Sequence, residues 1–204
     1  MKRITAFLKK NIRLILKYFV TQIAISALSL VLTLSVRTFA INHFDTATTG
    51  SILTSLICII IFAVVSHDFF WQEGANDRIK VDGGRQKRDN FKGAKVAACS
   101  LLPVIILTVI ASITYTIAIL ADSEITNILY IISAMPLYYF FEGMYYGIAS
   151  VANQTLFLPL VLIGEVFVSI LIPAISYLVG LTNKTLRSYF GLGSFDLPEK
   201  KEKK

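Results

Sequence analysis

The sequence predicts an all-α protein, a polytopic membrane helix bundle of four spans with one further interfacial or re-entrant helix. Three observations predict it. The first is composition: 55% of the 204 residues are apolar and only 16% are charged, against about 25% charged in an ordinary soluble domain. The second is run length, because four stretches approach or exceed the roughly 20 apolar residues that carry a helix across a hydrocarbon core. The third is placement of charge. The net charge of +7 would raise the question of nucleic acid in a soluble domain, but the basic residues here flank apolar runs and point to a membrane surface with anionic headgroups. No nucleic acid partner is expected. Helix is the forced conformation, since lipid offers no partner to a free backbone N–H or C=O.

Residues 1–17 read as an amphipathic surface helix. At 3.6 residues per turn, Lys2, Lys9, Lys10, Arg13 and Lys17 fall on one side and Ile4, Phe7, Leu8, Ile12 and Ile15 on the other. Such a helix lies in the membrane surface or pins the span that follows it. The opening resembles a signal peptide, but its apolar run is of span length and lacks a convincing cleavage site, so an uncleaved first span is expected.

The bundle is expected over 18–180. Tyr18–Val36 holds no charge, and Ser51–Trp71 is apolar up to His67 and Asp68, which suit an interface. Val96–Ala121 is uncharged, and Thr155–Gly180 is interrupted only by Glu165. The segment 125–150 is different. It begins like a span and then meets Pro136, which removes a backbone donor, followed by Tyr138, Tyr139, Glu142, Tyr145 and Tyr146. It is either a short interfacial or re-entrant element or a kinked fifth span.

Basic residues favour the first of these. All Lys and Arg except Arg37 lie before the first span, in the loop 72–95, or after the last span. Basic segments stay cytoplasmic, so both termini and the central loop are expected inside, which requires an even number of crossings. Five spans remain the alternative. The basic tail 181–204, ending in Leu197-Pro198-Glu199-Lys200-Lys201-Glu202-Lys203-Lys204, reads as a solvated cytoplasmic end.

The central loop carries alternating charges around Gly83-Gly84, a turn signal. Arg85, Lys87 and Arg88 are candidates for cytoplasmic docking to a partner or to headgroups, with a plain connector as the alternative. Trp71, Gly74, Asp77, Val81, Gly84-Arg85, Asp89 and Lys92-Gly93, with Ser100 and Pro103 beyond them, resemble a pattern in uncharacterised small multi-spanning proteins of Gram-positive, Clostridia-like bacteria. The resemblance covers about a sixth of the chain. It implies a bacterial cell membrane and carries over no activity and no site residues.

Glu142 and Glu165 are the two carboxylates within apolar surroundings. An ionisable group inside a membrane is a functional-site hypothesis by default, so the pair forms a candidate ion or proton site that could share one cavity with Tyr139, Tyr145 and Asn153. The alternative places Glu142 in water at the interface and lets Glu165 bond a neighbouring hydroxyl. Gly143-x-x-x-Gly147 has the spacing that lets helices approach closely.

No catalytic, metal or cofactor set is read from the sequence. Cys58 and Cys99 fall inside expected spans, where Cys behaves as a small apolar residue. His43 and His67 are expected near opposite faces, and intramembrane proteolysis would need paired Ser/His, two aspartates or H-E-x-x-H. The expected function is therefore non-enzymatic: an accessory or scaffold subunit acting by association with a membrane or cytosolic partner. A small transporter or channel component using Glu142 and Glu165 is the alternative.

Overall fold

The computed structural model describes residues 2–44, 47–121, 124–152 and 155–182. Their regular structure is helical throughout: α1 (Lys2–Phe44), α2 (Ala47–Asp82), α3 (Lys92–Ser100), α4 (Leu102–Ala121), α5 (Glu124–Pro136), α6 (Tyr146–Ala152) and α7 (Leu158–Leu181). A π-helical turn (Leu137–Phe141) and a 3-10 turn (Gly143–Tyr145) join α5 to α6. Among the described residues, four helices are long and apolar enough to cross a membrane: Thr5–Val36, Thr49–Asp82, Leu102–Leu120 and Leu158–Leu181. The protein is an all-α membrane helix bundle.

Element bounds differ from the sequence reading in three places. The basic stretch up to Lys17 is not set apart, because α1 runs unbroken for 43 residues, roughly 64 Å of helix. Residues 72–82, expected in the central loop, continue α2 for 36 residues in all, roughly 54 Å. Both helices are therefore far longer than the hydrocarbon needs and project beyond it. The uncharged run from Val96 is cut at Leu101 into α3 and α4. Pro103 has no N–H to give the carbonyl of Cys99, and the helix is broken there as Pro breaks helices.

Side-chain contacts establish how the helices run. The ammonium of Lys10 donates to Gln86 Oε1 at 3.1 Å, and Lys17 lies over the ring of Phe69 at 4.7 Å. A Cβ placed on Gly180 would sit 2.2 Å from the carbonyl oxygen of Trp71. The start of α1, the end of α2 with its loop, and the end of α7 thus share one end of the bundle, here called the basic end. α2 and α7 run parallel, with Gly74 and Gly180 allowing backbone-to-backbone contact.

The segment 124–152 enters and leaves on the opposite end. Tyr115 of α4 packs at a tilt against Tyr130 of α5, ring centroids 4.9 Å apart, and donates its hydroxyl to the carbonyl of Thr155 at 3.1 Å. The descending limb and the turn that follows the returning limb therefore lie at the same level of α4. Between them the chain reaches mid-depth, where Gly143 packs on Ser26 in the middle of α1. It then rises along the start of α2, where the Gly147 N–H donates to Ser55 Oγ at 2.8 Å. This is a re-entrant element.

Candidate functional site

The tip of the re-entrant element is built on missing and displaced hydrogen bonds. Pro136 ends the regular helix, and the turn after it widens so that Glu142 N–H bonds Leu137 O at 2.7 Å. The carbonyls of Phe141 and Gly143 turn toward α1. Gln22 Nε2 donates to Phe141 O at 3.2 Å, Ser26 Oγ donates to the same oxygen, and Ser29 Oγ donates to Gly143 O at 3.1 Å. Non-helical backbone at membrane depth is tolerated only when its polar groups are met in this way. Gln22, Ser26, Ser29 and Thr33 are all buried, and their spacing puts them on one face of α1. That polar stripe inside an apolar run is the signal the sequence reading missed.

Glu142 emerges from this break fully buried, and Glu165 of α7 is 4% exposed. Neither carboxylate oxygen of either residue has a hydrogen-bond partner among the described residues. The two elements that carry them are joined beside the carboxyls, because Tyr145, three residues after Glu142, bonds Ser169, four residues after Glu165. Around them lie hydroxyls from three elements. Tyr145 and Ser169 share a hydrogen bond at 3.1 Å, and Tyr18 donates to the backbone carbonyl of Ser169. Ser169 follows Glu165 by one helical turn, so both face the same side of α7.

The expected companions divide. Tyr145 belongs to the site. Tyr139 does not: it is 56% exposed and lines two clefts on the far side, of about 200 Å³ and about 50 Å³. Asn153 lies outside the described residues. Tyr138 borders both clefts, and its buried hydroxyl has no partner among the described residues. It belongs to the π-helical turn that leads into Glu142. On the other side, Tyr18 packs edge-on against Phe70 at 5.3 Å and contacts Phe62 and Phe69, separating the pair from the basic end.

Gly143 and Gly147 are both points of close approach, to α1 and to α2. Residues of the family-like pattern gather at the basic end. Lys92, 5% exposed, bonds Asp77 Oδ2 at 2.5 Å and Glu73 Oε1 at 2.7 Å, and Tyr177 donates to Asp77 Oδ2 at 3.0 Å. A Cβ on Gly93 would lie 2.6 Å from Tyr177 Cβ, and one on Gly74 would lie 2.3 Å from Tyr177 O. These residues lock α2, α3 and α7 together. Asp77 lies past the apolar run of α2. Burial pushes its carboxyl up, but the hydrogen bond and charge of Lys92, aided by Lys80 and Tyr177, reverse this and hold it below its ordinary 3.8. Burial pulls the Lys92 ammonium down, and Asp77 and Glu73 outweigh it, holding it above 10.5.

Arg85, Lys87 and Arg88 are exposed, with Arg88 bonded to Asn90 at 2.8 Å. Lys9, Lys10, Arg13 and Lys17 are exposed along α1. His67 meets Ser176 at 3.1 Å, and the tail 183–204 lies outside the described residues. Comparison with protein-family models, with curated proteins and with solved structures returns no match.

Proposed function

We propose that this membrane protein is a component of a proton- or monovalent-cation-coupled transport system, with Glu142 and Glu165 as the shared ion site. One observation carries the reading: two buried carboxyl groups, one at a break in a re-entrant helix and one on the helix bonded beside that break, have no hydrogen-bond partner among the described residues. Isolated carboxylates at this depth cost about 2.5–3.5 kcal/mol each on insertion scales, and nothing in the packing of the described residues repays that. Broken helices at mid-membrane supply the carbonyl and carboxyl groups of ion sites in known transporter architectures. Tyr138 and its clefts form the approach from one side, and the aromatic cluster at Tyr18 forms the closure on the other. The basic end faces the cytoplasm under the positive-inside rule.

Purified protein in liposomes tests this. An imposed proton, sodium or potassium gradient is expected to drive a flux that Glu165→Gln lowers at least tenfold. Absence of flux under all three gradients contradicts the reading.

A second reading, an accessory or scaffold subunit, is favoured by the exposed Arg85 and Lys87, which have no ion-pair partner among the described residues. A stoichiometric partner that copurifies in detergent and is lost when Arg85, Lys87 and Arg88 are neutralised would support it. Recovery of the chain alone would count against it.

A further inference from the structure

We propose that the cleft between α1 and α2 at the basic end is a phosphate-binding site, taking the headgroup of an anionic phospholipid or a soluble phosphate of the same chemistry. The cleft measures about 310 Å³ and is lined by Lys10, Arg13 and Lys17 from α1 and by Phe69, Gln72, Glu73 and Asn76 from α2. The three basic residues are spaced three and four apart, so they project from one face of α1.

The charge balance favours an anion. Among the described residues Glu73 is the one carboxylate in the wall, and its Oε1 already accepts from Lys92 at 2.7 Å. Lys10 is held by the neutral amide of Gln86, which positions its charge without cancelling it. Arg13 is exposed and makes no hydrogen bond or ion pair with the described residues. A guanidinium presents five donors in a planar fork that matches phosphate oxygens. Lys17 rests over the ring of Phe69, and such a contact leaves its N–H donors available on the other side.

Depth fits a headgroup. Lys17 directly precedes the uncharged run that begins at Tyr18, so the cleft opens where hydrocarbon gives way to phosphate. Basic clefts between spans at that level bind phospholipid headgroups. The floor is Phe69, a side chain that continues into the aromatic cluster with Tyr18 and Phe70. That cluster separates the cleft from the acidic pair, so the proposal is independent of the transport reading.

The test uses the full chain in uncharged detergent, with lipid retention followed by native mass spectrometry. Phosphatidylglycerol is expected to be retained at least tenfold more than a diacylglycerol of the same chains, which lacks the phosphate. Arg13→Gln/Lys17→Gln is expected to abolish that preference, while Lys200→Gln/Lys201→Gln in the tail, an equal loss of charge, leaves it intact. On the unaltered chain, 1 M salt is expected to weaken retention, since screening reduces exposed charge attraction. Competition by millimolar inorganic phosphate identifies a soluble anion as the natural source, and resistance to it identifies the lipid. Equal retention of diacylglycerol, equal loss in the two variants, or indifference to salt overturns the proposal.

Discussion

Gly147 of the re-entrant element lies so close to Ser51 of α2 that a Cβ at that position would sit 2.0 Å from the Ser51 carbonyl oxygen. The contact is backbone against backbone, so neither partner yields cheaply. It fixes the returning limb and, through the short turn before it, the position of Glu142.

Gly147→Ala is therefore expected to destabilise the protein by about 1–3 kcal/mol, the usual cost of overpacking, and to lower flux by displacing Glu142. Gly164→Ala is the control. Its Cβ would meet nothing within 4 Å, and Ala is the better helix former by about 1 kcal/mol. Thermal unfolding in detergent compares the two.

Lys92→Met is expected to cost about 3 kcal/mol, at the lower end for breaking a buried pair, because Lys80 and Tyr177 still meet Asp77. The double variant Asp77→Asn/Lys92→Met is expected to recover part of that loss. A double-mutant cycle of unfolding free energies gives the coupling, and strict additivity would show that the pair contributes nothing.

The same pair sets a pH window. Asp77 is held below its ordinary value, so its stabilisation is fully present above 3.8 and is lost as the pH falls through its lower value in the fold. Lys92 is held above its ordinary value, so its stabilisation is fully present below 10.5 and is lost as the pH rises through its higher value in the fold. Stability from this pair is expected to be flat between those limits, and Asp77→Asn is expected to remove the acid-side decline assigned to Asp77. Unfolding midpoints measured across pH in both proteins check this.

At the acidic site, the proposed sharing of one ion predicts that removing the charge of either carboxyl has nearly the effect of removing both. Glu142→Gln, Glu165→Gln and the double variant should show similar residual flux. Independent, multiplying losses would mean that the two carboxyls serve different steps.

The four spans were legible in the sequence because an uncharged run of that length admits only helix in lipid. Segregated Lys and Arg also anticipated that the start of α1, the central loop and the end of α7 would gather at one end, where Lys10 meets Gln86. Glu142 and Glu165 stood out as a candidate pair, but the placement of Glu142 depends on the break after Pro136 and on which side of α1 accepts the freed carbonyls. Those partners, Gln22, Ser26 and Ser29, are dispersed in an otherwise apolar run and carry meaning only once their face is known. Likewise Trp71, Gly74, Asp77 and Lys92-Gly93 read as distinctive text, yet their contacts with α7 are tertiary and leave no local pattern.

The re-entrant path of 124–152 underlies the whole account, because a crossing segment could not return Gly147 to Ser55 after presenting Glu142. With Cys58 and Cys99 replaced by Ala, single cysteines introduced as Glu124→Cys, Thr155→Cys and Arg88→Cys can be challenged with a membrane-impermeant maleimide on intact cells and on lysed ones. Positions 124 and 155 are expected to react together on intact cells, and position 88 only after lysis. Labelling of 124 without 155 on intact cells would mean that the segment crosses the membrane, and would contradict the re-entrant path.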